Sequence, residues 1–194
     1  MAFFCNSAGY YPSTGSQSSL SLLAYRVNHD NTSSSYNRME RLGKGLVWNS
    51  VSTTNKPIVF GIQAIANNWP AATDNTTADP DSNYELIGPQ IFRFEYFYLL
   101  KTGAISNLPG GQGLQDVAAI VVTVAAIDPK SRVLITNAQI DTLIGRLKDF
   151  DSTQPFYDLT TSWQAALDGT NDMARSAIDG IRIYQRSFYM SPSK

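Results

Sequence analysis

The sequence predicts an α+β fold, an antiparallel β-sheet with helical cover, on three observations. Between Phe92 and Tyr98 every even position is aromatic (Phe92, Phe94, Tyr96, Tyr98), while the odd ones are Arg93, Glu95 and Phe97; this is the period of two of a β-strand. Val117 to Ile127 is apolar on both faces, interrupted only by Thr123, as a central strand covered on both sides would be. Ile140, Leu143, Ile144 and Leu147 recur at i, i+3, i+4 and i+7, the apolar stripe of an amphipathic helix. Strands, then helices, then a closing strand is an α+β order. The 194 residues divide into an extended lead-in over 1–18 and a single α+β globular domain over 19–194, large enough to hold a core without staples.

In chain order, Ser19 to Val27 has strand character and runs into Asn28-His29-Asp30-Asn31-Thr32-Ser33-Ser34-Ser35, a series of turn formers. Tyr36 to Val47 returns as the second arm of a hairpin, with Gly43 and Gly45 marking a bend or bulge. Lys56 to Gln63 is a further short strand, and Pro57 places it at a strand start or sheet edge. From Ala66 to Tyr84 the chain makes a long polar excursion through Asn67-Asn68-Trp69-Pro70 and Asp79-Pro80-Asp81-Ser82-Asn83; loops of that length are usually functional or disordered.

Gly88-Pro89 bounds the aromatic strand in front and Lys101-Thr102-Gly103 turns the chain behind it. The Gly/Pro-rich segment Asn107 to Gly113 leads back to Leu114–Ile127 as the antiparallel partner. Thr136 and Gln139 fit a capping box for the helix that ends near Asp149, and the even, aromatic face of the strand is expected against that helix, with Phe94 in the core. A shorter helix over about Thr161 to Leu167 stops at Gly169, and Asp172 to Ala177 adds a turn. Gly180 to Met190 closes the chain as a strand, Ile181 and Ile183 alternating with Arg182, Tyr184 and Arg186. It is expected beside the aromatic strand, with Arg93 and Glu95 in reach of Arg182 or Arg186.

Composition removes several function classes. A net charge of −1, from 15 basic and 16 acidic residues spread along the chain, leaves no electrostatic footprint for nucleic acid or a membrane surface. Cys5 is the only cysteine, so there is no intrachain disulfide and no thiolate zinc site. The longest apolar run, Val117 to Ile127, is far short of the roughly 20 residues of a membrane-spanning helix. A charged fraction of only 16% suits an extracytoplasmic, β-rich protein.

The residues that could carry chemistry are few. His29 is the sole histidine and sits in a turn-rich tip, which disfavours a histidine triad, base or metal centre. Asp79, Asp81 and Asn83 have the i, i+2, i+4 oxygens with which calcium loops open, but Tyr84 stands where an EF-hand needs glycine and Gln90 where it needs glutamate. A solvated turn is the default there and a calcium loop of another kind the alternative. Gly110-Gly111-Gln112-Gly113 lacks the Lys-Ser/Thr of a phosphate cradle and leads into a strand. No carboxylate pair is singled out for hydrolysis, so the chain reads as non-enzymatic, with no cofactor and no small-molecule substrate.

Three segments resemble the minor pilins and pseudopilins of type IV pilus and type II secretion systems, of the PilW and J-pseudopilin kind. They are Ile91 to Tyr98 with Gly103, similar to that family's F-x-F-x-Y…G strand; Val117 to Asp128, similar to its next strand; and the paired strands at 19–48. More narrowly, Ala125 to Arg132, Trp163 to Gly169 and Gly180 to Tyr189 resemble a pilin-related family called Verru_Chthon cassette protein C. The resemblance implies an extracytoplasmic structural subunit, the globular head of a minor pilin-like protein, whose partners are other pilin-like subunits. Such proteins begin with a basic leader and a long apolar anchor helix; Met1 to Cys5 shows neither, so contact with the membrane is expected only through an anchor helix outside this sequence. The alternative is a secreted carbohydrate-binding or adhesin-like module using Trp69 and Tyr84 in the 66–84 loop.

Overall fold

Two β-sheets carry the chain. The computed structural model describes residues 1–6, 9–10, 17–18, 20–45, 84–151 and 158–190. It divides into two units, Met1–Tyr36 with Glu40–Ile87 and Asn37–Met39 with Gly88–Lys194.

The first unit holds β1 (Ala2–Cys5), β2 (Gly9–Tyr10), β3 (Gln17–Ser18), β4 (Ser21–Val27), all but the first residue of β5 (Met39–Gly45) and all but the last of β6 (Tyr84–Gly88). The sheet order is β1-β4-β5-β2-β3, with β6 also paired to β5. The described parts of residues 1–18 are short strands paired in this sheet: Ala2 lies opposite Ala24 and Cys5 opposite Ser21 in an antiparallel ladder, while Tyr10 sits parallel to Lys44. The two arms read as a hairpin are neighbours in this sheet. Leu22, Ala24 and Leu42 form a small core on which Ala2, Leu20 and Tyr84 pack. The strand anticipated at 56–63 lies outside the described residues.

The second unit holds β7 (Ile91–Leu100), β8 (Ile105–Ser106), a 3₁₀ turn at Gly113–Asp116, β9 (Val117–Ile127), α1 (Pro129–Arg132), α2 (Asn137–Arg146), α3 (Leu159–Asp168), α4 (Arg175–Ile178) and β10 (Ile181–Tyr189). Its sheet runs β10-β9-β7-β8 with every pair antiparallel. The helix signals hold. Thr136 Oγ1 accepts from Gln139 N at 3.3 Å and Gln139 Oε1 accepts from Thr136 N at 2.9 Å, the reciprocal bonds of a capping box. Asp158 caps α3 and Gly169 ends it. Lys101 to Gly103 turns the chain after β7, Gly103 taking φ +85°, a conformation that costs glycine little.

Three expectations are corrected. β9 begins at Val117 and not at Leu114, because Gly113–Asp116 winds into a 3₁₀ turn. β10 pairs with β9 and not with β7, so Arg182 and Arg186 lie two strands away from Arg93 and Glu95. The face of β7 is also reversed. Ile91 is opposite Ala126 but Arg93 is opposite Ala125, so Phe92 is the extra residue of a β-bulge, and the bulge exchanges faces for everything after it. Phe92 and Phe97 are therefore the buried positions, while Phe94, Tyr96 and Tyr98 are only half-buried.

The same division runs across the sheet. In β9 the odd residues are buried and the even ones half-buried, so the second face that was expected to be fully covered is only partly so. Phe92, Phe97, Val121, Ala125, Ile127 and Ile181 form one core with Ile140, Leu143 and Leu147 of the α2 segment, and with Leu159, Trp163 and Leu167 of α3. Phe97 stacks on Phe150 at 4.4 Å between ring centroids. The α+β class with an antiparallel, helix-backed sheet is thus present. Among the described residues, no helix is long and apolar enough to cross a membrane.

Candidate functional site

Of the residues singled out from the sequence, Trp69, Asp79, Asp81 and Asn83 lie outside the described residues. Tyr84 opens β6 and is half-buried, with the Arg26 guanidinium 3.8 Å from its ring centroid; one face of the ring is already occupied by a cation. His29 is exposed in the connection after β4. Among the described residues, no three His, Cys, Asp or Glu side chains gather where they could hold a metal ion.

In each unit a little-exposed ionic group holds segments together. Glu40 is 2% exposed. Its Oε2 accepts from Arg26 Nε at 2.8 Å, and its Oε1 accepts from Asn28 Nδ2 at 3.2 Å and from the Ser35 hydroxyl. Asn28 Oδ1 in turn accepts from Asp30 N at 2.8 Å. The turn formers at 28–35 thus fold back on a buried carboxylate, which satisfies both its oxygens as burial requires. The sequence showed the turn residues but not this carboxylate, because the partner comes from the next strand.

In the second unit Arg93 does the corresponding work. Its Nε donates to Leu147 O at 3.1 Å, its Nη2 donates to Glu95 at 3.2 Å and also contacts Asp149, and the guanidinium lies 5.5 Å from the Trp163 ring centroid. Trp163 Nε1 donates to Lys148 O at 2.8 Å. One strand, the end of α2 and the middle of α3 are stitched at this point. Burial pushes the Glu95 carboxyl above its ordinary value, opposed by the neighbouring Arg93. A shallow groove beside α2 and α3 includes Lys148 and Asn171. Its Arg146 is held by Asp172 through two bonds of 2.7 and 2.8 Å.

Among the described residues, the outer strand of the second sheet, β10, has a neighbour on one side only. Asp128 N donates to Gly180 O at 3.0 Å and Met190 N donates to Ala118 O at 2.9 Å. Since main-chain groups alternate sides along a strand, the even residues of β10 face β9. The N–H and C=O groups of Ile183, Gln185 and Ser187 point outward. Among the described residues, no strand pairs with that edge. Arg182 Nη1 covers only its start, donating to the carbonyls of Asp179 and Ile181 at 2.6 and 2.8 Å. At the opposite edge β8 is two residues long and pairs β7 only at Tyr98 and Leu99, so the preceding residues of β7 lie along that edge as well. β10 has nine residues. Along it Tyr184 is 59% and Tyr189 75% exposed, Phe188 and Met190 are also exposed, and the Arg186 guanidinium lies 5.3 Å from the Phe188 ring centroid. Exposed apolar and aromatic side chains thus lie beside outward main-chain groups, features that an added strand can use. The alternation at 180–190 was legible in the sequence, but its position at the edge was not, since that depends on which strand it joins.

Compared with known proteins, the chain matches no family model, no curated protein and no solved structure.

Proposed function

We propose that this chain is a non-enzymatic structural subunit, the globular head of a minor pilin-like protein that assembles with other pilin-like subunits in a type IV pilus or a type II secretion-like pseudopilus, outside the cytoplasm. The observation that carries the reading is the second unit: an antiparallel sheet backed on one face by helices, with an outward edge along β10 that no strand joins among the described residues and exposed Tyr184, Phe188, Tyr189 and Met190 beside it. The strand and helix segments whose sequences resemble that family fall largely in this unit, at Ile91–Leu100, Val117–Ile127, Leu159–Asp168 and Ile181–Tyr189. Assembly then draws on apolar side chains and on main-chain groups that accept a further strand.

Crosslinking followed by copurification from the source cell tests it. Recovery of pilin-like or secretion-system subunits is the expected result; recovery of none, with the bait correctly folded and abundant, would overturn it.

A further inference from the structure

The outward edge of β10 carries its own partner code, and we infer that it pairs with a second copy of itself, antiparallel and centred on Gln185. The register of β10 alone carries this pairing, independently of the pilin-like reading. Ile183, Gln185 and Ser187 present their main-chain groups to the edge, as derived from the bonds of Gly180 and Met190 to β9. In a two-fold pair centred on Gln185, Ile183 lies opposite Ser187 of the second copy and Gln185 opposite Gln185. These are hydrogen-bonded pairs, so the outward donors and acceptors of both strands are satisfied together.

The side chains select this register over its neighbours. The even residues Arg182, Tyr184, Arg186 and Phe188 share the face away from the helices. Centred on Gln185, Tyr184 meets Arg186 of the second copy and Arg182 meets Phe188, so each arginine faces an aromatic ring. These are the non-hydrogen-bonded positions, where side chains across an antiparallel pair come closest, and a guanidinium over a ring is attracted to it. The Arg186–Phe188 contact shows the same pairing of side chains within one strand. Centred one residue earlier, on Tyr184, Arg182 would face Arg186; centred one later, Arg186 would face itself. Like charges opposite one another are destabilising. On the helix side, Gln185 Oε1 already accepts from Thr123 Oγ1 at 2.9 Å, which orients the amide and leaves its NH₂ for the matching residue. The occupant that fits this complementarity is therefore another copy of β10, giving a continuous eight-stranded sheet from two four-stranded ones.

Two measurements on the full chain test the inference. Sedimentation velocity over a concentration series is expected to show a monomer–dimer equilibrium, and Ser187→Pro, which deletes an outward N–H without touching the β9 ladder, is expected to abolish the dimer while leaving the melting transition cooperative. Because that variant could fail to fold, a cysteine scan in a Cys5→Ser background is the second arm. Facing residues of a hydrogen-bonded antiparallel pair sit about 5.5 Å apart at Cα, within disulfide range. Gln185→Cys should therefore give a disulfide-linked dimer under mild oxidation, and Ile183→Cys and Ser187→Cys should cross-link far less alone than when mixed with each other. A chain that stays monomeric at its highest soluble concentration, a dimer that survives Ser187→Pro, or a scan that peaks away from Gln185 would each overturn the proposal.

Discussion

The two faces of the four-stranded sheet differ in a way that the residue types alone invert. On β7 the face turned to the helices carries Arg93, Glu95, Phe97 and Leu99, a mixed set, whereas the other carries Phe94, Tyr96 and Tyr98, which is wholly aromatic. The mixed face is nevertheless the one in the core. Its charges are admissible there because each has partners: Arg93 meets Leu147 O, Glu95, Asp149 and the Trp163 ring. The aromatic face makes contacts of its own, Phe94 to Tyr96 and Tyr96 to Tyr98 at about 6 Å between centroids, in the range where rings attract, and stays half-buried. Whether a face is core is decided by what packs against it and by register, and only secondarily by its hydrophobicity.

Disturbing the helix-backed side should therefore cost more than disturbing the aromatic side. After the loss of a core aromatic such as Phe97, the largest effect is expected at Gly180, which leads into β10. A Cβ there would stand 1.9 Å from Ser131 Oγ, 2.1 Å from Asp128 Oδ2 and 2.4 Å from Ser131 Cβ, while Asp128 caps α1 and its backbone bonds to Gly180. Gly180→Ala should destabilise by about 3 kcal/mol, the upper end for overpacking, in a urea titration. Arg93→Ala leaves Glu95 and Asp149 without their shared cation and opens a gap beside Trp163. About 2 kcal/mol is expected, below the cost of breaking a fully buried pair, since Asp149 is mostly exposed.

Smaller still is Asp158→Ala, which removes the cap of α3 at about 1 kcal/mol. Here pH gives a second handle. Hydrogen bonds from the Thr160 and Thr161 hydroxyls hold the Asp158 carboxyl below the ordinary aspartate value, so its contribution is present at and above that ordinary value and fades as the pH falls through the lowered one. Thermal melts of wild type and Asp158→Ala should differ near neutrality and converge in acid.

Much of this architecture was legible because its signals are local. The capping box at Thr136 and Gln139, the stripe of Ile140, Leu143 and Leu147, and the bounds of β7 and β10 each depend on residues a few positions apart. What escaped was long-range. A bulge at Phe92 leaves no mark in the alternation of side chains, yet it exchanges the faces of β7. The pairing of β10 with β9, the short strands β6 and β8, and the Glu40 clasp all depend on partners brought from elsewhere in the chain. For the site, Tyr84 proved to share its ring with Arg26. The outer position of β10 in its sheet could be recognised only once the strand order was known.

The most direct test of the two-face account is a matched pair of truncations on one strand, Phe97→Ala and Phe94→Ala, compared by chemical denaturation. Phe97 is buried against Phe150, so its loss should cost about 3–5 kcal/mol. Phe94 is half-buried and should cost about 1–2 kcal/mol. A gap of about 2 kcal/mol with Phe97 the costlier is the predicted result; equal costs, or a greater loss at Phe94, would show that the aromatic face is the core after all.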